Sequence, residues 1–183
     1  MAYIKINEQL PGIRGLMDFR PETAQPMNAF AEVLLRSDNS LSRGDRELIA
    51  TYVSHLNDCF FCQHAHGGIA QHYLQCEVGF IDRVKHKYQE TDLSEKMKAL
   101  LGIATQVQKG GKHVREEHID AARAAGATDV EIHDTVLIAA AFCMFNRYVD
   151  GLGTWAPRER SFYIDRGKQR AEEGYLNYNP KGQ

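Results

Sequence analysis

Residues 42–68 read SRGDRELIATYVSHLNDCFFCQHAHGG, and this stretch contains the clearest structural signals in the chain of 183 residues. Ser42, with Asp45 three residues later, is close to the capping box that begins many helices. The apolar residues that follow recur at helical spacing, so we predict a helix from Arg43 to Leu56. Asn57 and Asp58 come next, each is of a type that caps helices, and a second helix capped by one of them is therefore predicted to begin around Cys59.

The rest of the sequence also carries helical patterns and no convincing strand alternation. Thr128 and Glu131 form a full capping box, and a helical apolar face continues from there to Gly151. The same order of capping pair and apolar run occurs in residues 42–56, which is compatible with an internal duplication. Further helices are predicted at Pro26–Arg36, at Phe80–Tyr88, from Ser94 to the Gly110-Gly111 pair, and at Glu116–Ala125. The predicted fold class is all-α.

The domain boundaries follow from length and composition. A chain of this length suits a single domain, which we place at 1–183 with a core at about 20–155. Proline and glycine interrupt the opening stretch, so an irregular arm is predicted over residues 1–22. The extension at 156–183 is polar, with tyrosines at three positions, and is predicted either to wrap a partner subunit or to fray.

Charge and hydropathy exclude several classes of function. The formal net charge of -2 comes from 22 basic and 24 acidic residues without long runs, so no cationic surface for nucleic acid is expected. No apolar stretch approaches the ~20 residues that cross a bilayer, and the N-terminus lacks the apolar centre of a signal peptide. We predict a cytoplasmic protein that binds neither membrane nor nucleic acid.

The four cysteines direct attention to one pair. They are few and unevenly spaced, unlike those of a secreted disulfide scaffold. Cys59, Cys62 and His66 lie at relative positions 0, 3 and 7, which share one face of a helix. The N-terminus of a helix stabilises a thiolate, and His66, one turn after Cys62, can accept the thiol proton. Cys62 is therefore the candidate nucleophile, and Glu47 on the preceding helix is the candidate residue to orient His66.

Two chemistries suit these four side chains. Peroxide reduction requires a thiolate, a proton for the leaving oxygen, and a second thiol that condenses with the sulfenic acid. The same cysteines, histidine and glutamate also suit a tetrahedral zinc site, so a structural or regulatory metal-binding protein stays open as the alternative. No second C-x-x-C occurs in the chain, which favours redox chemistry over a zinc finger.

The pattern E-x11-C-x2-C-x3-H, formed by Glu47, Cys59, Cys62 and His66, resembles the AhpD-like alkylhydroperoxidases of the carboxymuconolactone decarboxylase superfamily. Residues 126–153, GATDVEIHDTVLIAAAFCMFNRYVDGLG, are similar to a segment of the longer peroxidase-related members. The resemblance covers about residues 20 to 155. It implies an AhpD-like helical bundle that forms homo-oligomers and has no dissociable cofactor.

The resemblance also implies a role for each residue of the pattern. Cys62 would attack the hydroperoxide, Cys59 would close the disulfide, and His66 with Glu47 would relay protons. A lipoyl or thioredoxin-like dithiol would then reduce the disulfide. Phe61 stands where well-studied relatives have a histidine, so part of their relay is absent here. A lactone decarboxylase is the less favoured alternative, because those relatives act without a C-x-x-C pair.

Other residues are predicted to be structural. Cys76 and Cys143 lie in apolar helical contexts, where free cysteines behave as small hydrophobes. Asp150 ends an apolar helix and is predicted to join a buried polar network or a subunit contact. The pair Gly67-Gly68 costs about 1 kcal/mol per residue against alanine inside a helix, which predicts a close approach of another backbone or of a substrate, with helix packing the commoner cause.

Overall fold

The computed structural model describes residues 2–176, and over that range the chain forms nine α-helices, two short 3-10 turns and no strand. The all-α prediction is confirmed. The helices are α1 Ile13–Phe19, α2 Pro21–Arg36, α3 Arg43–Leu56, α4 Phe60–Leu74, α5 Val78–Lys87, α6 Glu95–Lys109, α7 Glu116–Ala124, α8 Asp129–Gly151 and α9 Arg160–Glu173. Within residues 2–176 no helix combines the length and apolar character required to span a bilayer.

Side-chain caps fix the starts of two central helices. The Ser42 hydroxyl accepts a hydrogen bond of 3.0 Å from the Asp45 amide at the start of α3. At α8, Thr128 accepts from the Glu131 amide at 3.2 Å, and the Glu131 carboxylate accepts from the Thr128 amide at 2.8 Å. Each cap satisfies amide groups that a helix leaves without partners. Both predicted caps are confirmed, and α3 has the predicted bounds.

The predicted N-terminal arm is wrong from residue 13 onward. Helix α1 lies within it, and α2 begins at Pro21, five residues before the predicted start at Pro26. Proline at a first helical position costs little, because its missing N–H has no partner there. Pro21 occupies that position, whereas Pro26 lies inside the helix. Pro21 therefore satisfies the preference for proline at a helix start, and α2 is about one and a half turns longer than predicted.

The connection between α3 and α4 is a tight turn of three residues. Asn57 ends α3, Asp58 has a left-handed backbone with φ of 56°, and Cys59 is itself the N-cap residue of α4. The prediction that Asn57 or Asp58 caps the second helix is therefore wrong. The Cys59 amide donates instead to the Ser54 carbonyl at 3.0 Å. This bond fixes the first cysteine against the end of α3.

Helix α3 lies at the centre of the core. Its side chains Leu48, Ile49 and Val53 have no exposed surface, and it packs against α4, α6 and α8. Burying one such side chain contributes roughly 1.5–3 kcal/mol. Because α3 is surrounded, its polar Glu47 is also fully buried, which places a carboxylate inside the molecule and beside α4.

The C-terminal extension forms a helix that packs along α4, and residues 177–183 of that predicted extension lie outside the described residues. A Cβ atom at Gly68 would lie 2.2 Å from the Tyr163 carbonyl oxygen, and one at Gly167 would lie 2.4 Å from the Gly68 carbonyl carbon. Real Cβ atoms do not approach that closely, so the α4–α9 crossing requires both glycines. The predicted close packing holds for Gly68, whereas Gly67 has only ordinary contacts at 3.5 Å.

Candidate functional site

The two cysteines of the motif lie together at the N-terminus of α4. Both are free thiols, with 0% of Cys59 and 4% of Cys62 exposed. A hydrogen bond with Cys62 and burial raise the pKa of the Cys59 thiol. The Cys59 thiol therefore keeps its proton and can donate it toward the Cys62 sulfur.

A buried carboxylate and an imidazole lie next to the dithiol. His66 Nδ1 is 2.7 Å from Glu47 Oε2, and the Glu47 side chain is completely buried. This contact fixes the ring, since Nδ1–H donates to the carboxylate and Nε2 remains as the nitrogen that can exchange a proton. The sequence placed His66 one helical turn from Cys62, and packing of α3 against α4 brings Glu47 to it.

A tyrosine from the C-terminal extension completes this cluster. The Tyr175 hydroxyl donates to Glu47 Oε1 at 2.7 Å and lies 3.5 Å from His66 Nδ1. Burial and the negative charge of Glu47 raise the pKa of Tyr175 well above its usual value, so the hydroxyl stays a donor. Sequence reasoning missed this residue, because it lies 109 positions from His66 in a polar segment.

A cavity of about 120 Å³ opens beside the dithiol. Cys62 and His66 form part of its wall, and Cys59 is not among the described residues that line it. Apolar side chains dominate the wall, including Phe142, Phe145, Phe162 and Tyr163. A ligand in the cavity therefore meets Cys62 first.

The Phe61 side chain, between the cysteines, packs against neighbouring groups and has no proton to exchange. Its ring is 8% exposed and lies 6.1 Å from the ring of Tyr163 on α9. On the other side it lies against Gly12, where a Cβ atom would come within 2.3 Å of the ring. The Phe61 side chain thus connects the N-terminal and C-terminal segments of the chain.

The remaining candidates differ in their surroundings. Among residues 2–176, no three His, Cys, Asp or Glu side chains converge as ligands for a metal ion. Cys143 is buried and accepts a long hydrogen bond of 3.5 Å from Asn57. Asp150 lies beside Cys59: desolvation raises the pKa of its carboxyl, and a hydrogen bond with the Cys59 thiol opposes that effect. The Asp150 carboxyl therefore lies next to the dithiol, at the Cys59 thiol.

Comparison with known proteins finds similarity to one protein family and to several solved structures. The model of the carboxymuconolactone decarboxylase family matches residues 21–73 and 80–156. The chain is 28% identical to a peroxidase-related protein from Ralstonia eutropha JMP134 that is named an alkylhydroperoxidase AhpD core. That structure superimposes with a TM-score of 0.76 over 86% of this chain and 81% of the other.

Two further solved structures share the fold. A peroxidase-related protein from Silicibacter sp. TM1040 is 23% identical, with a TM-score of 0.76 over 86% of this chain and 80% of its own. A putative antioxidant defence protein AhpD from Agrobacterium tumefaciens is 22% identical, with a TM-score of 0.69 over 79% of this chain and 97% of its own. Among curated proteins, no sequence matches the chain.

Proposed function

This chain belongs to the carboxymuconolactone decarboxylase family, and from that premise we propose that it is a thiol-dependent peroxidase acting through Cys62 and Cys59. The observation that carries the proposal is the contact of 2.7 Å between His66 and the buried Glu47, next to a cavity whose wall contains Cys62. A nucleophile and a proton carrier are therefore available at one surface, and the second thiol lies buried behind the nucleophile, within hydrogen-bonding distance of it.

The first chemical step consumes the hydroperoxide. His66 takes the Cys62 proton, and the thiolate attacks one oxygen of the O–O bond. An S–O bond forms as the O–O bond breaks, which leaves Cys62 as a sulfenic acid and releases an alkoxide. The imidazolium of His66 returns the proton to that alkoxide, giving the alcohol. Glu47 stabilises the His66 imidazolium until that proton has been returned.

The second step closes the disulfide. The Cys59 sulfur attacks the sulfenic sulfur, an S–S bond forms, and hydroxide leaves with the Cys59 proton as water. Two thiols have then lost two electrons, and the peroxide has gained them. A lipoyl or thioredoxin-like dithiol is the reductant that we propose for the return step. The homo-oligomer and the cytoplasmic location stay predictions.

A thiol titration tests this proposal directly. Anaerobic, metal-analysed protein is titrated before and after one equivalent of cumene hydroperoxide. We expect two thiols to disappear per peroxide, with Cys59 and Cys62 recovered in one disulfide-linked peptide. If all the thiols survive and zinc is present stoichiometrically, the peroxidase proposal is wrong and the metal-binding alternative replaces it.

Replacing Tyr175 with phenylalanine is expected to lower kcat about tenfold with little change in KM for a small hydroperoxide. The substitution removes a donor to the Glu47 carboxylate, and hydrogen bonds to charged groups contribute about 1.5–3 kcal/mol, of which part acts in the proton-transfer step. Steady-state kinetics with tert-butyl hydroperoxide provide the measurement.

Tyr73→Phe is the matched control for this variant. The Tyr73 hydroxyl donates to the Ala171 carbonyl at 2.8 Å, so its loss also removes a hydrogen bond to the C-terminal segment without touching Glu47. Equal losses of kcat in the two variants would mean that Tyr175 only holds that segment in place.

A further inference from the structure

Asp150 is a carboxylate in a position that disfavours one. It lies in the last turn of α8, where the free carbonyl groups carry partial negative charge and destabilise a nearby anion. No salt bridge among residues 2–176 includes it, and Asp58 adds a second negative charge close by. A residue that breaks a local rule without compensation is expected mainly at a functional site. The position of Asp150 is therefore better explained by function than by helix stability.

The packing of α8 against the turn between α3 and α4 places Asp150 at the first cysteine. One helical turn before it, Asn146 accepts a hydrogen bond of 2.8 Å from the Asn57 side chain and donates one of 3.0 Å to the Ser54 hydroxyl. Residues four apart lie on the same face of a helix, so Asp150 comes next on the face that meets this turn. Its carboxylate forms a hydrogen bond with the Cys59 thiol.

The Cys59 thiol requires a proton acceptor of its own. A protonated thiol is a weak nucleophile, so Cys59 must lose its proton as it attacks another sulfur. Cys59 is 0% exposed and is not among the described residues that line the cavity with Cys62 and His66. Asp150 contacts the Cys59 thiol and is itself exposed. It therefore connects a buried proton with the solvent.

Resting on the dithiol chemistry proposed above, we propose that Asp150 is the base that accepts the Cys59 proton when the disulfide closes. As the proton moves to the carboxylate, the Cys59 sulfur attacks the sulfenic sulfur of Cys62, an S–S bond forms and the S–O bond breaks. Asp150 then gives the proton to solvent, and the leaving hydroxide takes one up. The products are again one disulfide and one water.

The surroundings of Asp150 suit this role. Burial raises the pKa of the Asp150 carboxyl, which makes the carboxylate a stronger base than an ordinary aspartate and a better match to a thiol proton. The two cysteines then use different proton carriers, with His66 at Cys62 and Asp150 at Cys59. A defect in one carrier is expected to slow one chemical step and to spare the other.

Asp150→Asn tests the assignment, because asparagine has the same shape and cannot accept the proton. With one equivalent of cumene hydroperoxide in a stopped-flow instrument, we expect disulfide closure to be about a hundredfold slower than in wild type, as a positioned base commonly contributes ~100-fold or more. Consumption of the peroxide in the first turnover is expected to change little. Equal slowing of both steps would mean that Asp150 only supports the structure of the site, and would overturn the assignment.

Asp58→Asn is the matched control. Asp58 is exposed in the same turn and has a left-handed backbone with φ of 56°, which asparagine tolerates better than most residues. The variant removes a negative charge near Asp150 and leaves the contact between Asp150 and Cys59 intact, so the disulfide is expected to close at nearly the wild-type rate. Equal slowing in the two variants would assign the effect to net charge and would overturn the role of Asp150 as the base.

A thiol–disulfide assay measures the Cys59 step without peroxide. Dipyridyl disulfide reacts with Cys62 to give a mixed disulfide and one thiopyridone, and attack of Cys59 on that mixed disulfide releases a second thiopyridone. The assay uses a Cys76→Ser background, which lacks the half-buried thiol outside the pair. In this background we expect Asp150→Asn to slow the second release about a hundredfold.

The two assays together separate this inference from the peroxidase chemistry. If no hydroperoxide is reduced but Asp150→Asn slows the second thiopyridone release, the peroxidase function fails and Asp150 stands as the base for Cys59. If hydroperoxide is reduced and Asp150→Asn closes the disulfide at the wild-type rate in both assays, the assignment of Asp150 is wrong and the peroxidase function stands.

Discussion

Replacing Cys62 with serine is expected to reduce peroxide turnover by at least roughly a thousandfold, because a hydroxyl at this position supplies no thiolate to attack the O–O bond. Cys62 is the cysteine in the cavity wall, and Cys59 lies behind it with a raised pKa. Serine has nearly the same volume, so the free energy of unfolding is expected to change little. Stopped-flow consumption of cumene hydroperoxide measures the loss.

Cys59→Ser is the companion variant, and it is expected to behave differently. Its Cys62 still reacts with one equivalent of peroxide, but the sulfenic acid has no thiol to condense with. Labelling with dimedone should therefore trap the sulfenic acid at Cys62 in this variant and give little product in wild-type protein. If Cys62→Ser still reduced one equivalent of peroxide and Cys59→Ser did not, Cys59 would be the cysteine that attacks the peroxide and Cys62 the one that closes the disulfide.

Replacing Gly68 with alanine is expected to lower the free energy of unfolding by about 3 kcal/mol, at the upper end of the usual cost of overpacking. The added methyl group would lie 2.2 Å from the Tyr163 carbonyl oxygen, and a backbone atom can give way only if α9 moves. In a domain of this size the change corresponds to a fall in Tm of roughly 6–12 °C. Displacement of α9 should also weaken peroxidase activity, because α9 forms one wall of the cavity.

Gly67→Ala provides an unusually close control for this prediction. The neighbouring position belongs to the same helix, but its added methyl group would have ordinary contacts at 3.5 Å with Ile81 and Thr51. Alanine is a better helix former than glycine by about 1 kcal/mol, so this variant should be as stable as wild type or slightly more stable. Equal destabilisation of both variants would show that helix packing at Gly68 is not the cause.

The helices that were predictable from the sequence carry local signals. A capping hydroxyl and a helical apolar stripe are both visible in the sequence around α3 and α8, and each was placed correctly. Helix α9 lacks such a stripe, because it packs through Gly167, Ala171 and one tyrosine. Small residues permit a close crossing without raising hydrophobicity, so the segment has the composition of a polar tail.

The candidate site divides in the same way. The spacing of Cys59, Cys62 and His66 follows from one helix and could be predicted. The contact of Glu47 with His66 requires α3 and α4 to pack in one particular register, which no local pattern specifies. That contact was expected only because the motif resembles that of a known family. Tyr175 could not be anticipated, since a hydrogen bond across 128 positions has no local pattern.

The burial of both sulfurs has a consequence for regeneration of the enzyme. If the proposed dithiol chemistry operates, a globular reductant cannot bring its own active-site surface against a disulfide whose cysteines are 0% and 4% exposed. Access of a reductant to the buried disulfide then depends on the width of the group that carries the reducing dithiol. Of the two reductants proposed above, a lipoyl dithiol on its long, slender arm would therefore enter the cavity, whereas a folded thioredoxin-like domain would be stopped at the entrance.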